Sequence, residues 1–237
     1  MIFGVILAGG SGTRMGNVDR PKQFLTIGSK PIIIHTIEKF VINSRFEEVI
    51  VLCPKNWINY TEDLLGKYLP DAKNVKVIEG GKIRNETILN AIDYIEKNYG
   101  LDDDTIVVTH DAVRPFVTHR ILEENIDAVL AGYACDTVVP AVDTIVQSED
   151  GQFISNIPDR KCCYQGQTPQ SFKAKKFVEL YSSLTEEEKE ILTDAAKAFV
   201  VKGEKVALVQ GETFNIKVTY PYDVQLAEVL LKGEKQC

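Results

Sequence analysis

A chain of 237 residues has room for one large core, and its net charge of −7 argues against any phosphate-backbone binder, so no nucleic-acid partner is expected. Its 44% hydrophobic content suits a soluble domain, and no apolar run is long enough to span a bilayer, so no membrane partner is expected. Five cysteines without a C-x-x-C pair and three histidines without metal-ligand spacing argue against a disulfide framework or a zinc site.

Residues 2–7 predict a buried strand, too short and without the basic flank of a signal peptide, which leads us to expect a cytoplasmic address. The strand runs into a loop holding Gly9, Gly10, Gly12 and Gly16. Backbone approaches a polyanion closely only where side chains are absent, and successive N–H groups in such a turn form an anion-binding concavity. Arg14 and Lys22 set positive charge beside it, and Pro21 restrains the backbone at Lys22. Together these read as a nucleoside triphosphate site, although a tight strand-to-helix connection is the plainer alternative for the loop alone. It is not the usual phosphate loop, because no Lys-Ser/Thr pair follows a glycine at the required spacing. The dinucleotide fingerprint fails too, since Met15 stands where a third glycine is needed.

Further along, Pro31 opens a helix through 41, followed by a strand at 48–53, a helix at 57–68 and a strand at 75–79. Gly80-Gly81 then form a second glycine turn that opens a helix over 84–98, whose first N–H groups can meet a phosphate or a polar ring edge. An ordinary helix start is the alternative. A strand at 104–110 ends on His110-Asp111, a helix covers 118–131, and a strand covers 136–141. Asp111 falls at a strand end, where a carboxylate can meet Mg²⁺ or a ribose, and Arg114 can pair with it or with a substrate. His110 reads as a packed, hydrogen-bonded residue. Strand–helix repetition of this kind predicts an α/β fold: a Rossmann-like, mostly parallel sheet flanked by helices, in a single domain over 1–237. Ligands then gather at the carboxyl ends of the strands.

The rhythm breaks over roughly 141–170, where two extended runs flank a turn at 149–152 and read as a projecting β-hairpin arm. Such a hairpin cannot bury both faces alone, so we expect it to dock on a second copy of the chain. After it, Thr185 and Glu188 form a capping box, and Thr193-Asp194 cap a helix ending at Gly203. Residues 206–209 and 216–218 read as late strands, and a final helix covers 221–231.

L-A-G-G-S-G-T-R-M-G at 7–16, followed by P-K-Q-F at 21–24, resembles the opening of the sugar-phosphate cytidylyltransferases, and further matches run along nearly the whole chain. The resemblance implies that CTP lies on Leu7, Ala8, Gly9, Gly10, Ser11, Gly12 and Thr13, with Asp111 and Ala112 opposite. It implies that Gly81, Lys82, Arg84, Asn85 and Thr87 read the cytosine, although the family often has Asp or Ala where Lys82 stands. It assigns catalysis to Arg14, Lys22, Arg160 and Lys217, and substrate contacts to Arg114, Thr168 and Thr193. It further implies a homodimer in which Arg160, at the end of the arm, reaches across to the acceptor phosphate, while Mg²⁺ at Asp111 is expected from the strand-end position of that carboxylate.

Two subfamilies share the pattern, one acting on ribitol 5-phosphate and one on methylerythritol phosphate. Residues 109–111, 141–146, 164–170 and 184–194 resemble the ribitol enzymes, whose product CDP-ribitol feeds teichoic-acid or capsule synthesis. Residues 215–219 lean to the methylerythritol side, where Arg often follows; here Tyr220 does. A nucleotide-binding protein without turnover is the alternative from another class, and retention of Arg14, Lys22, Arg160 and Lys217 together argues against it.

Overall fold

The computed structural model describes residues 1–10 and 20–234. Its strands, in chain order, are β1 (Ile2–Leu7), the short pair β2 (Thr26–Ile27) and β3 (Lys30–Pro31), then β4 (Glu48–Cys53), β5 (Val75–Glu79), β6 (Ile106–Asp111), β7 (Ala134–Pro140), β8 (Tyr164–Lys173) and β9 (Val206–Gln210). The helices are α1 (Ile32–Val41), α2 (Ile58–Tyr68), α3 (Arg84–Tyr99), α4 (His119–Leu130), α5 (Ala174–Ser182), α6 (Glu186–Glu190), α7 (Ala195–Val201) and α8 (Pro221–Glu234). None of the described helices is long and apolar enough to cross a membrane.

Among the described residues a seven-stranded sheet runs in the order β5-β4-β1-β6-β8-β7-β9. The strands are parallel apart from β8, which is antiparallel to both neighbours. Side chains alternate between the two faces, so neighbouring residues of one strand enter different cores. Ile6 and Val49 pack with Ile37, Phe40 and Ile126, under α1, α2 and α4. Phe3, Val5 and Ile50 pack with Ile92, Phe177 and Phe199, under α3, α5 and α7. A third, smaller core joins Ile32, Val113, Phe116 and Val218 to Ala227 of α8. That core brings the segment after β9 back to the carboxyl end of β6.

The hairpin expectation is met only at its turn. Gln147 and Asn156 form one isolated bridge, with the Gln147 N–H donating to Asn156 O at 2.8 Å. Asp150 closes the turn by accepting from the N–H groups of Gln152 and Phe153. Tyr164–Lys173, assigned in part to the arm, is instead a central strand of the sheet, so the segment outside the sheet is 141–163. The chain leaves β7 at Pro140 and returns beside it with Pro140 opposite Tyr164, which is why β8 alone is reversed. A bulge then sets Gln167, Thr168 and Pro169 against the single residue Thr137, and such a bulge re-aims side chains out of the ladder.

Residues 216–218 are a second correction. They form no strand; the Val218 N–H donates to Val113 O at 2.9 Å while its side chain is buried in the third core. The β-branched Ile216 and Val218 reflect packing against the third core in a connecting segment. The capping box at Thr185 and Glu188 is present, and Asp194 caps α7.

Candidate active site

Leu7 and Asp111 are register partners at the carboxyl ends of β1 and β6. Beyond them opens a cavity of about 340 Å³. One wall is Leu7, Ala8, Gly9 and Gly10, and among the described residues no atom lies within 4 Å of where a Cβ on either glycine would stand. Gln23 Nε2 donates to Ala8 O at 2.7 Å and holds this wall in place. Lys22 lines the same cavity although only 8% of it is exposed. It sits on the single turn Lys22–Phe24, and Phe24 stacks on Trp57 at 4.8 Å and meets the edge of Tyr60 at 5.2 Å. Aromatic packing of this kind anchors the turn and with it the lysine backbone.

The opposite wall is the start of α3, with Gly81, Lys82, Ile83, Arg84 and Thr87. A Cβ on Gly81 would lie 2.4 Å from Glu86 Cβ, so only glycine lets the loop close on the helix. Thr87 Oγ1 accepts from the Gly81 N–H at 3.0 Å and donates to Ile83 O at 2.9 Å. Glu86 accepts from the Lys82 N–H at 2.9 Å. The Thr87 hydroxyl thus braces the loop before it can meet any ligand. Asn85 is buried and does not line the cavity, and its Oδ1 has no hydrogen-bond partner.

Asp111 closes the floor beside Ala112. Its carboxylate is ion-paired with Arg84, with Lys217 Nζ at 2.8 Å and with Arg114 Nε at 3.6 Å. Burial pushes this carboxyl up, but Arg84, Lys217 and Arg114 outweigh it and hold it well below the usual carboxylate range. Behind it, His110 is fully buried and its pKa falls to about 4, because burial disfavours the charged ring. Its Nε2 lies 3.0 Å from Arg114 O, which can only accept, so Nε2 carries the proton. Nδ1 then accepts from the Thr168 hydroxyl at 2.9 Å, and Thr168 Oγ1 accepts from the Asp111 N–H at 3.2 Å. Thr168 therefore supports Asp111 from the bulge of β8.

Mg²⁺ is usually held by one or two carboxylates plus substrate phosphates. The described residues contain no group of three His, Cys, Asp or Glu side chains that could hold an ion, and both oxygens of Asp111 already face cations. The residues at Asp111 do not fit a protein-held Mg²⁺, since a divalent ion there would add to three positive side chains.

A second hollow of about 300 Å³ adjoins the first, with Lys217 lining both. Arg114, Gln165, Gln167 and Asn215 face it. Arg160 and Thr193 line neither hollow of this chain. Arg160 is exposed on the arm, donating to Val142 O at 3.0 Å, and Thr193 is exposed just before the cap of α7. Ser11, Gly12, Thr13 and Arg14 lie outside the described residues. The polar residues of the two hollows that the sequence does not single out as contacts are Gln23, Gln165, Gln167, Thr213, Asn215 and Thr219. Gln23 directly follows Lys22 and Asn215 stands two residues before Lys217, and a polar side chain close to a functional cation is the available signal.

Asp136 of β7 lies near the same cations, accepting from Gln170 Nε2 at 3.1 Å, and burial raises its pKa to about 6. Its unfolded value is near 3.8, so the folded state keeps the proton between those limits. The resulting stabilisation is present below the unfolded pKa and is lost as pH rises through about 6. Asp136→Asn is therefore expected to raise stability at pH 8 by about 1–3 kcal/mol and to change little at pH 4. Thermal unfolding at both pH values checks this; an equal shift at the two would remove the titration as its cause.

Residues 2–233 match the family model described as IspD, 2-C-methyl-D-erythritol 4-phosphate cytidylyltransferase. The chain is 52% identical over 232 residues to a protein of Lactiplantibacillus plantarum named ribitol-5-phosphate cytidylyltransferase, covering 98% of this chain and 99% of that one. Among solved structures it resembles the 4-diphosphocytidyl-2C-methyl-D-erythritol synthase of Anaerococcus prevotii, with a TM-score of 0.79 at 26% identity over 98% of this chain and 96% of the other. The 2-C-methyl-D-erythritol 4-phosphate cytidylyltransferase of Thermus thermophilus gives 0.73 at 26% identity, covering 98% and 100%.

Proposed function

The chain belongs to the IspD family of cytidylyltransferases, and we propose that it transfers CMP from CTP to D-ribitol 5-phosphate, releasing pyrophosphate and CDP-ribitol. The observation that carries the choice of acceptor is the 52% identity, end to end, with a relative named for ribitol 5-phosphate. The solved structures named for the methylerythritol reaction share only 26%. Methylerythritol phosphate is the alternative acceptor, favoured by the family model's description.

The chemistry needs no protein nucleophile. An oxygen of the acceptor phosphate attacks the α-phosphorus of CTP in line, the bond to the bridging oxygen breaks, and pyrophosphate leaves with the electron pair. Two anions must be brought together and the growing charge stabilised, which is work for fixed cations and N–H groups. We assign CTP to the cavity between Ala8–Gly10 and the start of α3, with Lys22 and Arg14 on its phosphates. We assign the acceptor phosphate to Arg114 and Lys217, at the junction of the two hollows. An arginine fork suits that phosphate because it binds in a bidentate manner.

In this reading Arg160 completes the acceptor site of a second copy, and the arm is where the copies meet. Val142, Phe153 and Ile154 are exposed on the arm by 73%, 74% and 62%, which supports a covered face. A CTP-consuming step belongs in the cytoplasm, and CDP-ribitol, an activated donor, then requires a ribitol-phosphate transferase of teichoic-acid or capsule synthesis to consume it.

Purified protein given CTP, Mg²⁺ and each polyol phosphate in turn should release pyrophosphate with kcat/KM at least about tenfold higher for ribitol 5-phosphate. A preference for methylerythritol phosphate would overturn the acceptor. No release with either would leave nucleotide binding without turnover.

A further inference from the structure

We infer that Asn215 is a positioning residue for the acceptor phosphate, setting Arg114 and Lys217 in register against the bulge of β8. The inference rests on the reading above that these two cations receive the acceptor. Asn215 is fully buried in the segment between β9 and α8. Its backbone carbonyl accepts from Arg114 Nη1 at 2.8 Å. Its side-chain Nδ2 donates to Thr168 O at 3.0 Å and to Gln167 Oε1 at 3.1 Å. One residue therefore touches a cation of the site, the strand that supports Asp111, and a wall of the second hollow.

The same residue sets the placement of Lys217. Gln167 Nε2 donates to Glu212 O at 2.8 Å, so the segment is tied to β8 on both sides of its bend. Two residues after Asn215 comes Lys217, and Val218 is then locked by its side chain in the third core and by its N–H on Val113 O. Thr219 Oγ1 donates back to Lys217 O at 3.1 Å. Lys217 is held between the buried Asn215 and Val218, which leaves its long side chain to reach Asp111 from a fixed root. Remove the Nδ2 bonds and the segment loses its tie to β8 on the side that faces Arg114.

Asn215 itself lines only the second hollow, away from the start of α3 and Gly9-Gly10, so the effect is expected to fall on the acceptor more than on CTP. Asn215→Ala is expected to raise the acceptor KM about tenfold or more, with the CTP KM within about twofold of wild type. A merely structural role would lower the melting temperature and the active fraction without separating the two KM values. An equal rise in both, or an acceptor KM within about twofold of wild type, would overturn the inference. Should Asn215→Ala not fold, Gln167→Ala removes one Nδ2 acceptor and the tie to Glu212, and is expected to give the same separation with a smaller size. The kinetics use whichever polyol phosphate wild type turns over, so failure of the ribitol assignment leaves this test intact.

Discussion

Lys22→Ala is expected to lower kcat by about two to three orders of magnitude while CTP still binds weakly. The size follows from how the lysine is held. It is 8% exposed on a short turn, with Gln23 tied to Ala8 O and Phe24 packed on Trp57 and Tyr60. A cation fixed before substrate arrives needs little reorganisation as charge develops at the α-phosphate, and that makes it worth more in the transition state than in the bound state. Loss should therefore appear in kcat more than in CTP affinity. Lys22→Arg is not expected to restore turnover, because a planar fork on a different stem cannot occupy the position of a compact ammonium. Pyrophosphate release, CTP titration and a melting curve on the same samples separate chemistry from binding and from folding. Unchanged kcat would remove Lys22 from the reaction.

The second large effect is at Asp111. Asp111→Ala removes the shared counter-charge of Arg84, Arg114 and Lys217 and is expected to destabilise the fold by about 2–4 kcal/mol, with activity down at least about a hundredfold. Lys217 is partly exposed and can turn to water, whereas Arg114 is buried and cannot, which keeps the figure below that of a wholly buried ion pair. The pH dependence has a fixed sign. A carboxyl depressed in the folded state contributes stability above its unfolded value near 3.8, and that contribution is lost as pH falls through the lower folded value. The stability gap between wild type and Asp111→Asn should thus be full at neutral pH and close in strong acid. Acid titration of unfolding measures it. Half-saturating Mg²⁺ for Asp111→Asn should stay within about twofold of wild type, since Asp111 acts as a counter-charge. A rise of about tenfold would return Asp111 to the metal.

Much of this was legible in local pattern. Ile2–Leu7, Glu48–Cys53 and Val75–Glu79 are apolar runs of strand length, and their bounds agree with the expected ones. Thr118, Thr185 and Asp194 announce the starts of α4, α6 and α7 through side chains that accept from the first turn. The mistakes also have a physical pattern. Residues 164–170 were joined to the arm because Gln165, Gln167 and Gln170 break the apolar rhythm of a central strand, yet Gln167 and Gln170 are spent on Glu212 and Asp136. Residues 216–218 look like a strand because β-branched Ile216 and Val218 alternate with Lys217, and packing of those two in the third core accounts for it.

By itself the sequence determined the layered α/β plan, the glycine turns at both walls of the cavity and the presence of cations near them, because periodicity, caps and tight turns are set by residues a few places apart. Only the tertiary structure decided what Asp111 does. Arg114, three residues on, is within reach of Asp111 in the sequence, but Arg84 and Lys217 arrive from the start of α3 and the segment before α8, and no spacing along the chain encodes that meeting. The sheet order β5-β4-β1-β6-β8-β7-β9 brings them together, through pairings whose cost is loop closure over long separations and whose reward is burial. The carboxylate that the strand end offers pairs there with three cations, Arg84, Arg114 and Lys217.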